Sequence, residues 1–126
     1  MKKIIKTANA PAPIGPYNQA VLTGNTLYIS GQIPIDPVTG KLIEGNIQKE
    51  TEQSMENLKA ILLEAGMTFE HVVKSTIFIK DMNQFTEINK VYGRYFNPDT
   101  APARETVEVA NLPKFVNVEI SMIAVK

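Results

Sequence analysis

No cysteine occurs in the 126 residues, which excludes a disulfide framework, a zinc–thiolate site and a cysteine nucleophile, and removes any need for an oxidising compartment. The cytoplasm is therefore the expected location. Histidine is scarce as well. His71 is the one histidine, so neither a multi-histidine metal cage nor a catalytic histidine pair can be built within one chain. Charge of one sign is missing: thirteen Lys and Arg stand against thirteen Asp and Glu, without a run of like charges. Such a surface offers little to phosphate backbones or anionic lipid, which argues against nucleic acid as a partner. After Met1-Lys2-Lys3 the chain continues Ile4-Ile5-Lys6-Thr7 with no long apolar stretch, so neither a signal peptide nor a membrane span is expected.

What is present is ordinary globular composition, 44% hydrophobic and 21% charged, far from disordered or fibrous chains. The length fits one domain, 1–126, and folding can bury roughly two-thirds of the surface that the unfolded chain exposes. Lys2 to Lys6 reads as a first strand. Ala10-Pro11-Ala12-Pro13-Ile14-Gly15-Pro16 can be neither helix nor central strand, and its prolines stiffen a loop that either presents Tyr17 or simply connects. Gln19 to Thr23 and Thr26 to Ser30 form a hairpin about Gly24-Asn25, both of which tolerate positive φ. A second loop runs from Gly31 to Gly40, with turn signals at Asp36-Pro37 and Thr39-Gly40.

From about Asn46 to Ala65 the apolar positions Met55, Leu58, Leu62 and Ala65 recur at helical spacing, and Gly66 sits where a helix ends. Val72 to Lys80 is a β-branched strand, with Val73, Ser75, Ile77 and Ile79 on one side. Asp81 can cap a second helix whose stripe is Phe85, Ile88, Tyr92 and Phe96, closing at Asn97-Pro98. Glu105 to Val109 and Val116 to Val125 are the last strands, joined by Leu112-Pro113-Lys114. The order β-β-β-α-β-α-β-β predicts an α/β (α+β) two-layer sandwich: a six-stranded mixed sheet with both helices on one face. Apolar residues on both sides of several strands call for a second cover, which a neighbouring subunit would supply.

Two side chains could do chemistry. Arg104, in Pro102-Ala103-Arg104, sits where prolines fix the backbone, and a planar, forked guanidinium suits a ligand carboxylate. A surface arginine paired with Glu105 or Asp99 explains the position equally well on residue type alone. Glu119 stands alone in the apolar strand Val116 to Val125. Burial raises a carboxyl pKa and a nearby arginine lowers it, so beside Arg104 this group could hold a water as general base. An outward-pointing strand carboxylate accounts for it just as simply. His71 reads as an exposed junction residue, and the Phe85 stripe as core rather than a base-stacking platform.

The segments Ala12-Pro13-Ile14-Gly15-Pro16-Tyr17-Asn18-Gln19-Ala20, Ile29-Ser30-Gly31-Gln32-Ile33-Pro34, Lys80-Asp81-Met82-Asn83 with Phe85, Pro102-Ala103-Arg104, and Leu112-Pro113 through Val118-Glu119-Ile120 together resemble the RidA/YjgF family of reactive-intermediate deaminases. The likeness spans nearly the whole chain. It implies a chorismate-mutase-like fold assembled as a homotrimer, with ligand clefts between adjacent subunits. It also implies hydrolysis of 2-aminoacrylate and 2-aminocrotonate, as imines, to 2-oxo acids and ammonia without metal or cofactor. Residue by residue, Arg104 corresponds to the carboxylate anchor and Glu119 to the acid that positions water. Tyr17 and Ser30 correspond to cleft-lining groups, with Tyr17 either a catalytic proton relay or a closure of the pocket, Asn89 corresponds to a cleft asparagine, and Gly31 and Thr106 correspond to backbone contacts. Many relatives carry Ser or Ala and then Cys where this chain has Glu105 and Thr106, so Glu105 should point away from the ligand. A ligand-sensing or regulatory trimer without turnover, and an endoribonuclease or translation inhibitor, are the competing readings.

Overall fold

Gly24, at φ 59°, turns strand β2 (Ala20–Thr23) back into β3 (Thr26–Gln32), while Asn25 does not take positive φ. Glycine first in a two-residue loop is the pattern of a type II′ turn, so one of the two residues expected to bend this way suffices. The computed structural model describes residues 1–126. The remaining elements are β1 (Lys2–Ile5), α1 (Ile47–Glu64), β4 (Val72–Ile79), α2 (Phe85–Gly93), β5 (Ala103–Glu108) and β6 (Val118–Val125). They form one six-stranded sheet in the order β1-β2-β3-β6-β4-β5, in which β5 runs parallel to β4 and every other pair is antiparallel. Both helices lie on one face, as the pattern predicts.

Helix α1 begins where the Asn46 side chain accepts the Lys49 N–H and ends in a Schellman turn at Gly66, with Met67 N–H bonded to Leu62 O. Met55, Leu58, Ile61 and Leu62 on its inner face are fully buried against Leu27, Ile77, Ile120 and Met122 of the sheet. Four departures from the sequence reading have local causes. The ladder slips between Val72 and Lys74, so Val72 enters the core and Val73, expected on the side of Ser75, Ile77 and Ile79, is half exposed. Asp81 caps a single 3₁₀ turn, Met82–Gln84, rather than α2 itself. Helix α2 stops at Gly93, before the proline expected to end it. Strand β5 begins at Ala103, so Arg104 lies within a strand and not at its mouth.

The opposite face is closed only at one end, where Ile33, Ile35, Leu112 and Val116 pack over Phe78. Across its middle runs the cross-strand row Ile4, Val21, Tyr28 and Ile123. Tyr28 in this row is 49% exposed and Ile4 41%.

Candidate functional site

Strand pleating divides the predicted residues into two groups. Arg104 is level with Ser75, which is buried beneath the helices, whereas Glu119 is level with Phe78 on the other face. Within one chain the structure therefore does not bring Arg104 and Glu119 together. They occupy opposite faces of the same sheet.

On the helix side, Arg104 Nη1 donates to Asn89 Oδ1 at 2.6 Å. Its guanidinium carbon lies 4.9 Å from the centre of the Tyr92 ring and 5.7 Å from that of Phe85. Phe85, Asn89 and Tyr92 are four and three residues apart on α2 and so line one stripe. No carboxylate comes within 4.0 Å of the guanidinium, which removes the pairings with Glu105 or Asp99 that the sequence left open. Glu105 faces the other way from Arg104. It takes Lys74 Nζ at 2.8 Å and the Thr76 hydroxyl at 2.6 Å, and these hydrogen bonds, Lys74 first, hold its carboxyl below the ordinary value. Beside Arg104 lies a hollow of about 240 Å³ walled by Asn89, Tyr92, Gly93, Phe96 and Pro102. Thr106, two residues along the same face, keeps its hydroxyl buried without a partner. As an edge strand, β5 also leaves backbone groups open.

On the other side, Glu119 is half-buried and its carboxyl pKa is raised, by burial alone. Gly31 covers it so closely that a Cβ there would stand 2.7 Å from Glu119 Cδ. The neighbouring Ser30 donates from its hydroxyl to Asn18 O at 2.6 Å. Tyr17 and Gly31 share a narrow crevice with Pro13, Ile14 and Ile33. The Tyr17 side chain curls back over its own loop, where its hydroxyl accepts the Ile14 N–H at 3.3 Å and its ring lies against Gly15.

Two buried amides that sequence reading passed over hold this half in place. Gln19 accepts the Thr7 N–H at 2.7 Å and donates to Ala10 O and Pro11 O, stapling the proline loop that carries Tyr17. Asn57 of α1 donates to Ile33 O and Ile35 O, fixing the chain just beyond Gly31. Their signal in the sequence was an uncharged polar residue at a core position of strand or helix.

The largest hollow, about 610 Å³, lies elsewhere, between α1 and the turn at Asp36, Pro37 and Val38. It contains none of the predicted residues. Asp36, Glu56 and Glu64 outnumber Lys59 on its walls, so it would repel an anionic ligand. No group of three or more His, Cys, Asp or Glu stands close enough to hold a metal ion, and no helix is long and apolar enough to cross a membrane. His71 accepts the Thr68 N–H at 3.0 Å in a capping box, a local structural task.

The endoribonuclease L-PSP family matches residues 7–126. A RutC family protein of Pyrococcus horikoshii is 53% identical over 126 residues, covering 100% of this chain and 99% of that protein. The 2-iminobutanoate/2-iminopropanoate deaminase of Bos taurus is 48% identical, covering 100% of this chain and 91% of that protein. Among solved structures, E. coli TdcF with bound serine superposes with a TM-score of 0.92 at 45% identity, covering 98% of each chain.

Proposed function

Because the chain belongs to the endoribonuclease L-PSP family, which takes in RidA/YjgF and RutC proteins, we propose that it is a cofactor-independent deaminase. Its substrates in this reading are small enamine and imine acids such as 2-aminoacrylate and 2-aminocrotonate, and its products are 2-oxo acids and ammonia. The observation that carries the reading is the Arg104 guanidinium, oriented by Asn89 and two rings yet paired with no carboxylate of the chain. A fork held in this way is ready for a carboxylate ligand. Similarity to a protein named for this activity supports the same chemistry.

The two groups on opposite faces fit a homotrimer with clefts between subunits. One subunit supplies Arg104, Asn89 and the Thr106 backbone, and its neighbour supplies Glu119, Gly31, Ser30 and Tyr17. Arg104 grips the substrate carboxylate. The enamine first passes to its imine tautomer, a proton leaving nitrogen as one is taken up at the β-carbon and the C=C pair becomes the new C–H bond. Water held by Glu119 then adds to the imine carbon: a C–O bond forms, the water proton passes to Glu119, and the C=N pair moves onto nitrogen, which receives that proton. In the second step the new hydroxyl gives its proton to Glu119, C=O forms, the C–N bond breaks, and nitrogen takes the proton and leaves as ammonia. Glu119 ends as it began. Burial that raises its pKa suits it to accept a proton twice in each cycle. Tyr17 closes the cleft.

The test generates 2-aminoacrylate with a pyridoxal-phosphate-dependent dehydratase and follows pyruvate. Wild type should exceed the spontaneous rate, whereas Arg104→Ala and Glu119→Gln should each lose about 10²-fold or more. Light scattering should return the mass of three 14.0 kDa chains. A wild type that adds nothing to the spontaneous rate removes the deaminase reading. The serine bound by TdcF favours one alternative, a sensor of small carboxylates. That reading gains if the same inactive protein binds 2-oxo acids tightly.

A further inference from the structure

An arginine side chain is flexible, and a free one loses that freedom each time it grips a ligand. In this chain the freedom is already spent. Tyr92 is 4% exposed, and its hydroxyl donates to the Oγ of Ser75, itself fully buried, at 2.9 Å. Phe96 packs against it with 4.8 Å between ring centres. A ring fixed at its far end and along its side makes a rigid floor, and the Arg104 guanidinium lies over it at 4.9 Å. Phe85, 36% exposed at the rim, approaches the same guanidinium at 5.7 Å, and Asn89 takes one of its N–H groups. Of the five N–H donors of an arginine, the other four have no partner in the chain.

We infer that Tyr92 and Phe85 are positioning residues that form a preformed guanidinium cradle, holding the free face of Arg104 toward its ligand before the ligand arrives. This rests on the reading of Arg104 as a carboxylate anchor. Ring faces attract a cation without consuming its N–H donors. An acidic partner would orient the arginine too, but would compete with the ligand for the same fork. Aromatic walls and a single amide oxygen thus orient the group and leave its charge unneutralised. Ser75 belongs to the device because its hydroxyl fixes the plane of the Tyr92 ring. This also explains why a serine sits fully buried on an apolar strand face, level with Met122.

The experiment compares wild type with Tyr92→Leu, Tyr92→Phe and Phe85→Leu. It reads pyruvate binding by NMR titration and the Arg104 Nε–H resonance in the ligand-free protein. In wild type that resonance should be displaced by the rings and show slowed rotation of the guanidinium. Tyr92→Leu should return it to the position of a free arginine and weaken pyruvate binding about tenfold, with a smaller change in kcat than in KM for 2-aminoacrylate. Tyr92→Phe keeps the ring and should recover most of that loss. Phe85→Leu alters a rim residue, so it reports even if Tyr92→Leu fails to fold, and should weaken binding about threefold. If pyruvate affinity and the Arg104 resonance are unchanged in the folded variants, the cradle is overturned while the anchor stands. A wild type that binds no 2-oxo acid overturns the anchor itself.

Discussion

At the scale of single residues, the tightest constraint is the approach of Gly31 to Glu119. A methyl group at position 31 would lie 2.7 Å from the carboxyl carbon, inside any tolerated contact, so Gly31→Ala must push the Glu119 side chain aside. Since Gly31 does not have positive φ, the backbone accepts alanine and the damage stays local. The expected result is a folded protein that has lost the contribution of a general base, about 10²-fold in kcat for 2-aminoacrylate. Glu119 also links stability to pH. Burial raises its folded pKa above the ordinary 4.5, so folding favours the protonated form. That advantage is complete below 4.5 and disappears as pH rises through the folded value. Glu119→Gln carries no such charge. In urea titrations its midpoint should exceed that of wild type at neutral pH, and the gap should close as pH falls through the raised folded value toward 4.5. Arg104 and Glu119 were legible because each is conspicuous in its setting, a lone arginine after prolines and a lone carboxylate in an apolar strand. Tyr92 and Phe85 were not, because an aromatic at helical spacing looks the same whether it fills a core or floors a site.

At the scale of elements, α1 does more than cover the sheet. Asn57 is fully buried and its amide donates to the carbonyls of Ile33 and Ile35, which tie the segment after β3 to the helix. Asn57→Ala strands the Ile35 carbonyl and leaves the Ile33 carbonyl with only the Ile35 N–H, and chemical denaturation should show a loss of about 1–3 kcal/mol. Element order and the two-layer arrangement were readable because hydrophobic period distinguishes helix from strand. The slip at Val73 was not, since an extra residue in a ladder leaves the composition of the strand unchanged while reversing which side chains face inward. Pairing was hidden for a related reason: the parallel lie of β5 on β4 comes from a long connection through α2, and the sequence of β5 itself does not encode it.

At the scale of the whole molecule, the sheet separates the proposed machinery. Arg104 and its aromatic walls lie on the helix side, and Glu119, Gly31 and Tyr17 on the side whose middle row of Ile4, Val21, Tyr28 and Ile123 remains open. The sequence set Glu119 beside Arg104 without dividing them between the two faces, because the face a strand residue takes depends on strand parity, which shifts with each bulge. A partition of this kind has a genetic signature. Arg104→Ala and Glu119→Gln are each expected to be severely impaired alone, yet in the proposed cleft between subunits they injure different partners. Unfolded together and refolded as a mixture, they should regain deaminase activity, since random co-assembly in equal amounts pairs two intact contributions in roughly one cleft out of four. A double mutant carrying both changes in the same chain, refolded with wild type as control, should complement neither single variant.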